Sequence, residues 1–290
     1  MFEKYNIPAF FLVKSAVLSA FANGRPTALV FDSGVSQTSA VPVFDGYVLQ
    51  NSIVRIPHGS KFVSKLCKDY FEENQIDIIP SYMVGSKELV KDKEKPIWKP
   101  KTNIPEVKPS WHNFQVDQIV EDFQASVLQI LDEPFNKEAV DGVPPTLYEF
   151  PNGYNQQFYD ERYTIPEVLF NPKFSPKYAN ELGMSYADVL MKSVTLSDVD
   201  IMPALYGSVV ISGGNTLLTG FNDRLLAEVS KKVPQSIRLK LMHPNGLVER
   251  KHSPWIGGSI LASLGTFQRM WFSKQEYEDG GKTQIHRKCP

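Results

Sequence analysis

The sequence predicts an α/β protein, and three features carry that prediction. Short β-rich apolar runs alternate with stretches of helical spacing along much of the chain. Two of those runs stop abruptly in small polar turns, Asp32-Ser33-Gly34 and Ser212-Gly213-Gly214-Asn215. The pair Asp45-Gly46 joins two others in the manner of a tight hairpin.

Taken in order, residues 7–22 (IPAFFLVKSAVLSAFA) are apolar and end in Ala20-Phe21-Ala22, a pattern shared with signal peptides. Lys14 inside the run and the mixed charges of Glu3 and Lys4 ahead of it favour a core helix, stopped by Asn23-Gly24. Thr27–Phe31 and Ala40–Phe44 read as strands, and Tyr47–Leu49 as the return of the hairpin. Residues 61–73 have helical spacing. Residues 87–109 hold seven lysines, four acids and four prolines, which predicts an exposed or partly disordered insertion. A basic nucleic-acid arm is the sharper reading, and the interleaved acids and prolines weaken it. A helix is predicted over 111–131, with Ile119, Phe123, Val127, Leu128 and Leu131 on one face. Residues 132–178, rich in Pro, Asn, Gly and Tyr, predict loops with short strands. Gly207–Ile211 reads as a buried strand whose glycine turn opens a helix carrying Leu217, Phe221, Leu225 and Val229. Ile237–Leu241 alternates like a half-buried strand, and the last apolar helix is predicted at 259–271.

Composition narrows the function classes. The 290 residues carry 31 Lys plus Arg against 32 Asp plus Glu, a net charge of −1, which disfavours a general nucleic-acid or membrane-surface binder but not a local basic patch. The apolar fraction of 42% is that of a chain with a sizeable core. No apolar run reaches the roughly 18 residues of a membrane span. Cys67 and Cys289 are the only cysteines, too few for a disulfide framework or a cysteine-rich zinc site. With no Asn-x-Ser/Thr acceptor either, the chain reads as a resident of a reducing compartment, cytosol or nucleus.

Both glycine turns have the form of a phosphate cradle. Tight glycine turns let backbone N–H groups approach an anion, and a strand-end carboxylate such as Asp32 can face a hydrated Mg²⁺ beside phosphates. Each is also simply a common turn. His58, His112, His243, His252 and His286 show no metal-binding spacing, so no metal site is expected. The run Trp255–Leu264 mixes large and small residues and reads as a core helix or as the wall of a cleft for a partner helix.

Several stretches resemble the actin family. WIGGSILASLGTFQRMWFSKQEYEDGGKTQIHRKCP resembles the end of actin nearly residue by residue, and NIPAFFLVKSAVLSAFANGR, VFDSG and VPVFDGYVL resemble its second phosphate-loop region. VVISGGNTLLTG is similar to its adenosine loop. SWHNFQVDQIVEDFQASVLQ and YEFPNGYN resemble the nuclear actin-related branch of the Arp4 and BAF53 type. Only residues 87–109 match poorly.

The resemblance implies an actin-type (ribonuclease H-like) two-lobe fold around a nucleotide cleft, incomplete and truncated at its N-terminus. Residues 1–22 would be a helix of the first lobe. Residues 23–58 and 179–252 would form the inner subdomain of the larger lobe, 59–178 its outer subdomain with the insertion, and 253–290 a C-terminal helical piece of the first lobe. Asp32, Ser33, Gly34, Gly213, Gly214, Asn215 and Lys251 would be the nucleotide-binding positions, with ATP and Mg the implied cofactors of a complete protein.

The same resemblance implies losses. Val35 and Ser36 replace an Asp and a Gly of the phosphate loop, and Gln124 and Ala125 align loosely with a Lys-Glu pair that contacts nucleotide. Ser15 and Ser39 stand where actin has the glutamine and histidine that position attacking water, and serine is too short to span that gap. A structural subunit without hydrolysis is therefore expected, located in the nucleus within chromatin-remodelling or histone-acetyltransferase complexes. It would bind a helix of the remodelling ATPase together with actin or another actin-related protein. That helix would enter a groove between Ala22, Gly24 and Tyr47 on one side and Ile256, Ile260, Leu261, Leu264 and Met270 on the other. A filament-forming actin-like ATPase is the alternative, and a sugar-kinase or chaperone-type ATPase a more distant one.

Overall fold

A mixed sheet organises the fold of the computed structural model, which describes residues 1–179, 183–244 and 246–289. Residues 180–182 and 245, within the expected segment 179–252, and residue 290, within 253–290, lie outside the described residues. The strands in chain order are β1 (Ala9–Phe10), β2 (Ala28–Ser33), β3 (Thr38–Phe44), β4 (Tyr47–Val48), β5 (Val54–Ile56), β6 (Val84–Lys87), β7 (Trp98–Pro100), β8 (Thr146–Glu149), β9 (Asn155–Phe158), β10 (Val209–Ser212), β11 (Leu241–Met242) and β12 (Phe272–Ser273). Six form one sheet in the order β11-β10-β2-β3-β4, with β5 also on β3. β10 is parallel to β2 and β11, whereas β3 is antiparallel to β2, β4 and β5.

The run Ala28-Leu29-Val30-Phe31 is wholly buried because helices cover both faces of the sheet. Successive side chains point to opposite faces. Leu29 and Phe31 join one core with residues of the helices Ser60–Glu73, Pro109–Val127, Tyr186–Thr195 and Phe221–Ser230. Ala28 and Val30 join another with Ala16, Val17 and Ala20 of the helix Ser15–Ala22. The Asp45-Gly46 turn forms as its sequence predicts, both residues having positive φ (47° and 83°).

Several local expectations are corrected. The apolar run 7–22 is not one helix: Ala9–Phe10 pairs with Phe272–Ser273, and the helix begins only after Lys14 as its N-cap. Part of the insertion 87–109 is ordered, since Trp98–Pro100 pairs with Val84–Lys87. Its remaining turn is tied to β9, with Lys93 N–H donating to the Asn155 carbonyl and Gln157 N–H to Asp92. The long helix runs Pro109–Val127 and leaves Leu128 and Leu131 beyond its end. The glycine turn opens a four-residue 3-10 turn, Gly214–Leu217, and Gly220 at φ 82° separates it from the helix Phe221–Ser230. Only Leu241–Met242 of the expected strand near 237–241 pairs. The last long helix is Ser253–Ser263, with Pro254 in its first turn, and a 3-10 turn at Phe267–Arg269 follows it.

Candidate functional site

Parallel neighbours β2 and β10 end side by side, with Asp32 opposite Ser212 in register. The two glycine turns read separately in sequence thus meet at the carboxyl edge of the sheet, where ligands of open α/β sheets bind. Their approach is close. A Cβ at Gly213 would lie 2.2 Å from the Ser33 carbonyl oxygen and 2.7 Å from Asp32 Oδ1, and Gly213 has φ 94°. No other residue fits there. Burial pushes the Asp32 carboxyl above its ordinary range, slightly offset by the nearby Ser212 hydroxyl. That hydroxyl is buried and makes no formed hydrogen bond.

The Ser33 and Asn215 side chains are drawn inward rather than toward the cleft. Asn215 Nδ2 donates to Ser33 Oγ and to Tyr186 Oη, both at 3.0 Å. Ser33 Oγ is 2.7 Å from Thr38 Oγ1, and both Thr38 and Tyr186 donate to the His58 carbonyl, at 2.5 and 3.1 Å. This buried network locks the two turns to the helix Tyr186–Thr195 and to the segment before Ser60–Glu73. Sequence reasoning missed Tyr186 and Thr38, which carry no motif. Ser185 and Asp188 do form a capping box that marks the start of that helix.

One backbone donor of each turn is engaged within the protein. Gly34 N–H donates to the Gln37 carbonyl at 3.1 Å, and Gly213 N–H to the Arg250 carbonyl at 3.2 Å. Arg250, buried, also donates to the Thr216 carbonyl at 3.0 Å, so it braces the second turn from below. The N-terminus of Ser60–Glu73 is docked on the first turn, Ser60 N–H donating to the Gly34 carbonyl and Lys61 N–H to that of Val35, each at 2.9 Å. Gly59 permits this, since a Cβ there would be 2.3 Å from the Gly34 oxygen. Gln124 Nε2 donates to Ser64 Oγ at 2.8 Å and joins two helices rather than facing a ligand. Lys251 packs its stem beside Gly214 and leaves its ammonium exposed. Asp32 and Lys251 are therefore the charged groups of the expected nucleotide set that remain available to a cation and an anion.

A cavity of about 210 Å³ brings Asp32 together with Ser15 and Ser39, and with Lys14, Gln37 and Arg55. The turn at Gly34–Gln37 separates it from a second cavity of about 510 Å³, lined by Val35, Ser60, Lys61, Ser64 and Lys65 among others.

The other expected site is split by packing. Ser253, Gly257 and Leu261 are the buried seam of the C-terminal helix. Leu261, 6% exposed, is thus interior rather than groove, a correction to the expected lining. Gly257 packs on the helix Ser15–Ala22, where an added Cβ would be 1.9 Å from the Leu18 carbonyl oxygen. Ile256 and Ile260 flank that seam, and Leu264 caps the end of the helix in an extended conformation. Ile256 is half-buried, whereas Ile260, Leu264, Met270 and Tyr47 are exposed. Ala22 ends the facing helix, and Gly24 follows it in an exposed left-handed turn at φ 65°.

No helix among the described residues is long and apolar enough to cross a membrane. The chain is 38% identical over 306 residues to Actin-related protein 4 of Arabidopsis thaliana, covering all of this chain and 67% of that protein. It is 39% identical over 299 residues to Actin-related protein 4 of Oryza sativa subsp. indica, covering 66% of it. To Actin-related protein 4 of Mycosarcoma maydis it is 32% identical over 331 residues, covering 62% of it. The chain therefore spans about two thirds of the length of these relatives. The family model described as Actin matches residues 1–290, and the chain belongs to the actin family.

Proposed function

We propose that this chain is an actin-related structural subunit of nuclear chromatin-remodelling and histone-acetyltransferase complexes, and that it seats a helix of the remodelling ATPase beside actin or another actin-related protein. The observation that carries this reading is the exposure of the apolar side chains Tyr47, Ile260, Leu264 and Met270, together with the exposed left-handed turn at Gly24. Such a surface suits an amphipathic helix that offers anchors at i, i+3 or i+4, and i+7. The name Actin-related protein 4 borne by the relatives supports it.

Nucleotide plays a supporting part in this reading. Asp32 would face a hydrated Mg²⁺ and Lys251 would flank the bound ATP, while Ser15 and Ser39 are themselves too short to align water for hydrolysis. The test is purification of the tagged full-length protein from nuclear extract with identification of co-purifying chains. Remodeller or acetyltransferase subunits are expected. Recovery as polymer that sediments with ATP, without those subunits, would overturn the assignment in favour of a filament-forming ATPase.

A further inference from the structure

Near the N-terminus of the helix Pro109–Val127, aromatic side chains and unpaired lysines share one surface. Trp111 is 42% and Phe114 53% exposed, three residues apart and so neighbours on the helix surface. Tyr82 packs edge-on against Trp111, with centroids 4.6 Å apart, and its hydroxyl bonds to His112 at 2.7 Å. Trp111 is thereby held in place while part of its ring stays open to solvent. Lys108 caps the same helix, with Trp111 N–H donating to its carbonyl at 3.0 Å. Lys101 N–H donates to the carbonyl of Met83, next to Tyr82, at 2.9 Å, and directly follows the strand Trp98–Pro100 that carries Lys99.

Two acids of the insertion are held by backbone donors. Glu94 is engaged by the backbone N–H of Lys91, and Asp92 by that of Gln157, both at the far turn of the hairpin. Lys99, Lys101 and Lys108 are exposed and form no ion pair among the described residues. In sequence, lysines and acids interleave. Lys91, Lys93 and Lys95 stay at that far turn with the acids, whereas Lys101 and Lys108 are tied by backbone contacts to the segment of Tyr82 and Trp111, with Glu106 the one acid between them in sequence.

We propose that this patch binds single-stranded nucleic acid. Exposed ring faces stack on bases whatever their identity, and unpaired lysines neutralise the backbone phosphates that link them. Base faces and phosphates are common to DNA and RNA, so the patch takes both. An acidic peptide would use the lysines but gain nothing from open ring faces.

The test is fluorescence anisotropy of the full chain with labelled dT15 and rU15 oligonucleotides across a salt series. Both are expected to bind within a few-fold of each other, with a log–log salt slope of about −2 for three lysine contacts. Trp111→Ala and Phe114→Ala should each weaken binding about tenfold or more at unchanged salt slope. The Lys99, Lys101 and Lys108 triple alanine variant should flatten the slope. Circular dichroism melts confirm that each variant is folded, and Trp111→Phe, which keeps a ring, should bind nearly as the parent. Absence of binding, binding of only one oligonucleotide, indifference to the folded aromatic variants, or equal competition by a poly-glutamate peptide would each overturn the proposal.

Discussion

Gly257 rests directly against Leu18: a methyl group at position 257 would stand 1.9 Å from the Leu18 carbonyl oxygen and 2.5 Å from its carbon. A small residue at this crossing lets the C-terminal helix approach the helix Ser15–Ala22 backbone to backbone. Because the obstacle is main chain, it cannot swing aside. Gly257→Ala should therefore destabilise the protein by about 1–3 kcal/mol, lowering its melting temperature by roughly 5 °C, even though alanine favours helices. Calorimetry of the variant checks this.

Arg224 and Glu167 form a pair that is almost wholly buried, 1% and 2% exposed, joined by two bonds of 2.7 and 2.8 Å. Arg224 also donates to the Leu131 and Glu133 carbonyls and to Glu228. Burial opposes its charge, and the two carboxylates outweigh that, so its pKa lies above the ordinary value. Removing one partner leaves the other ion buried alone. Arg224→Met should cost about 3–5 kcal/mol by urea denaturation, and Glu167→Leu in the same chain should recover much of it.

Asp32 gives a pH signature of the cleft. Its folded pKa is raised by burial above the unfolded value. The folded state therefore holds the proton more tightly, and the contribution of Asp32 to stability is greatest below the unfolded carboxylate range. It falls as pH rises from there through the folded pKa. Asp32→Asn removes the buried charge and should flatten that limb of the stability–pH profile while raising stability near neutral pH. Denaturant titrations at several pH values, parent against variant, measure it.

How much of this was legible in sequence depends on the range of the forces involved. Asp45-Gly46 and the run Ala28–Phe31 were readable because turn chemistry and strand burial are local signals. The pairing of Phe10 with Phe272 was not, because its partner lies at the other end of the chain. The insertion read as exposed or partly disordered, and the contacts that tie its turn come from Asn155 and Gln157, far downstream. In the site, the two glycine turns announced themselves, but their adjacency needed the parallel pairing of β2 with β10. Residue type alone could not say that Asn215 and Ser33 face inward, which depends on a hydroxyl from Tyr186. The C-terminal helix was placed too late because apolar residues continue past Ser263, where the chain has already turned extended at Leu264.

Hydrolysis is expected to be absent. Ser15 and Ser39 line the same cavity as Asp32, and on the proposed reading their short side chains cannot align water for attack. Purified full-length protein should release no phosphate from ATP above background with Mg²⁺ present. Measurable Mg-dependent hydrolysis that disappears in Asp32→Ala would refute the non-catalytic reading.

Leu264 offers the sharpest test of the partner surface. It is 44% exposed and caps the end of the C-terminal helix, whereas Leu261, three residues earlier, is 6% exposed. An aspartate there is solvated in the free protein, so the fold should be unaffected. Once a partner helix covers the site, the carboxylate would be buried without a counter-ion, a cost of several kcal/mol. Each ~1.4 kcal/mol is a factor of ten in affinity. Leu264→Asp in the full-length protein should therefore lose capture of the remodeller helix by a hundredfold or more. Leu261→Asp, by contrast, places the charge in the interior and should unfold the protein. If folded Leu264→Asp protein pulls down that helix as well as the parent does, the groove is elsewhere.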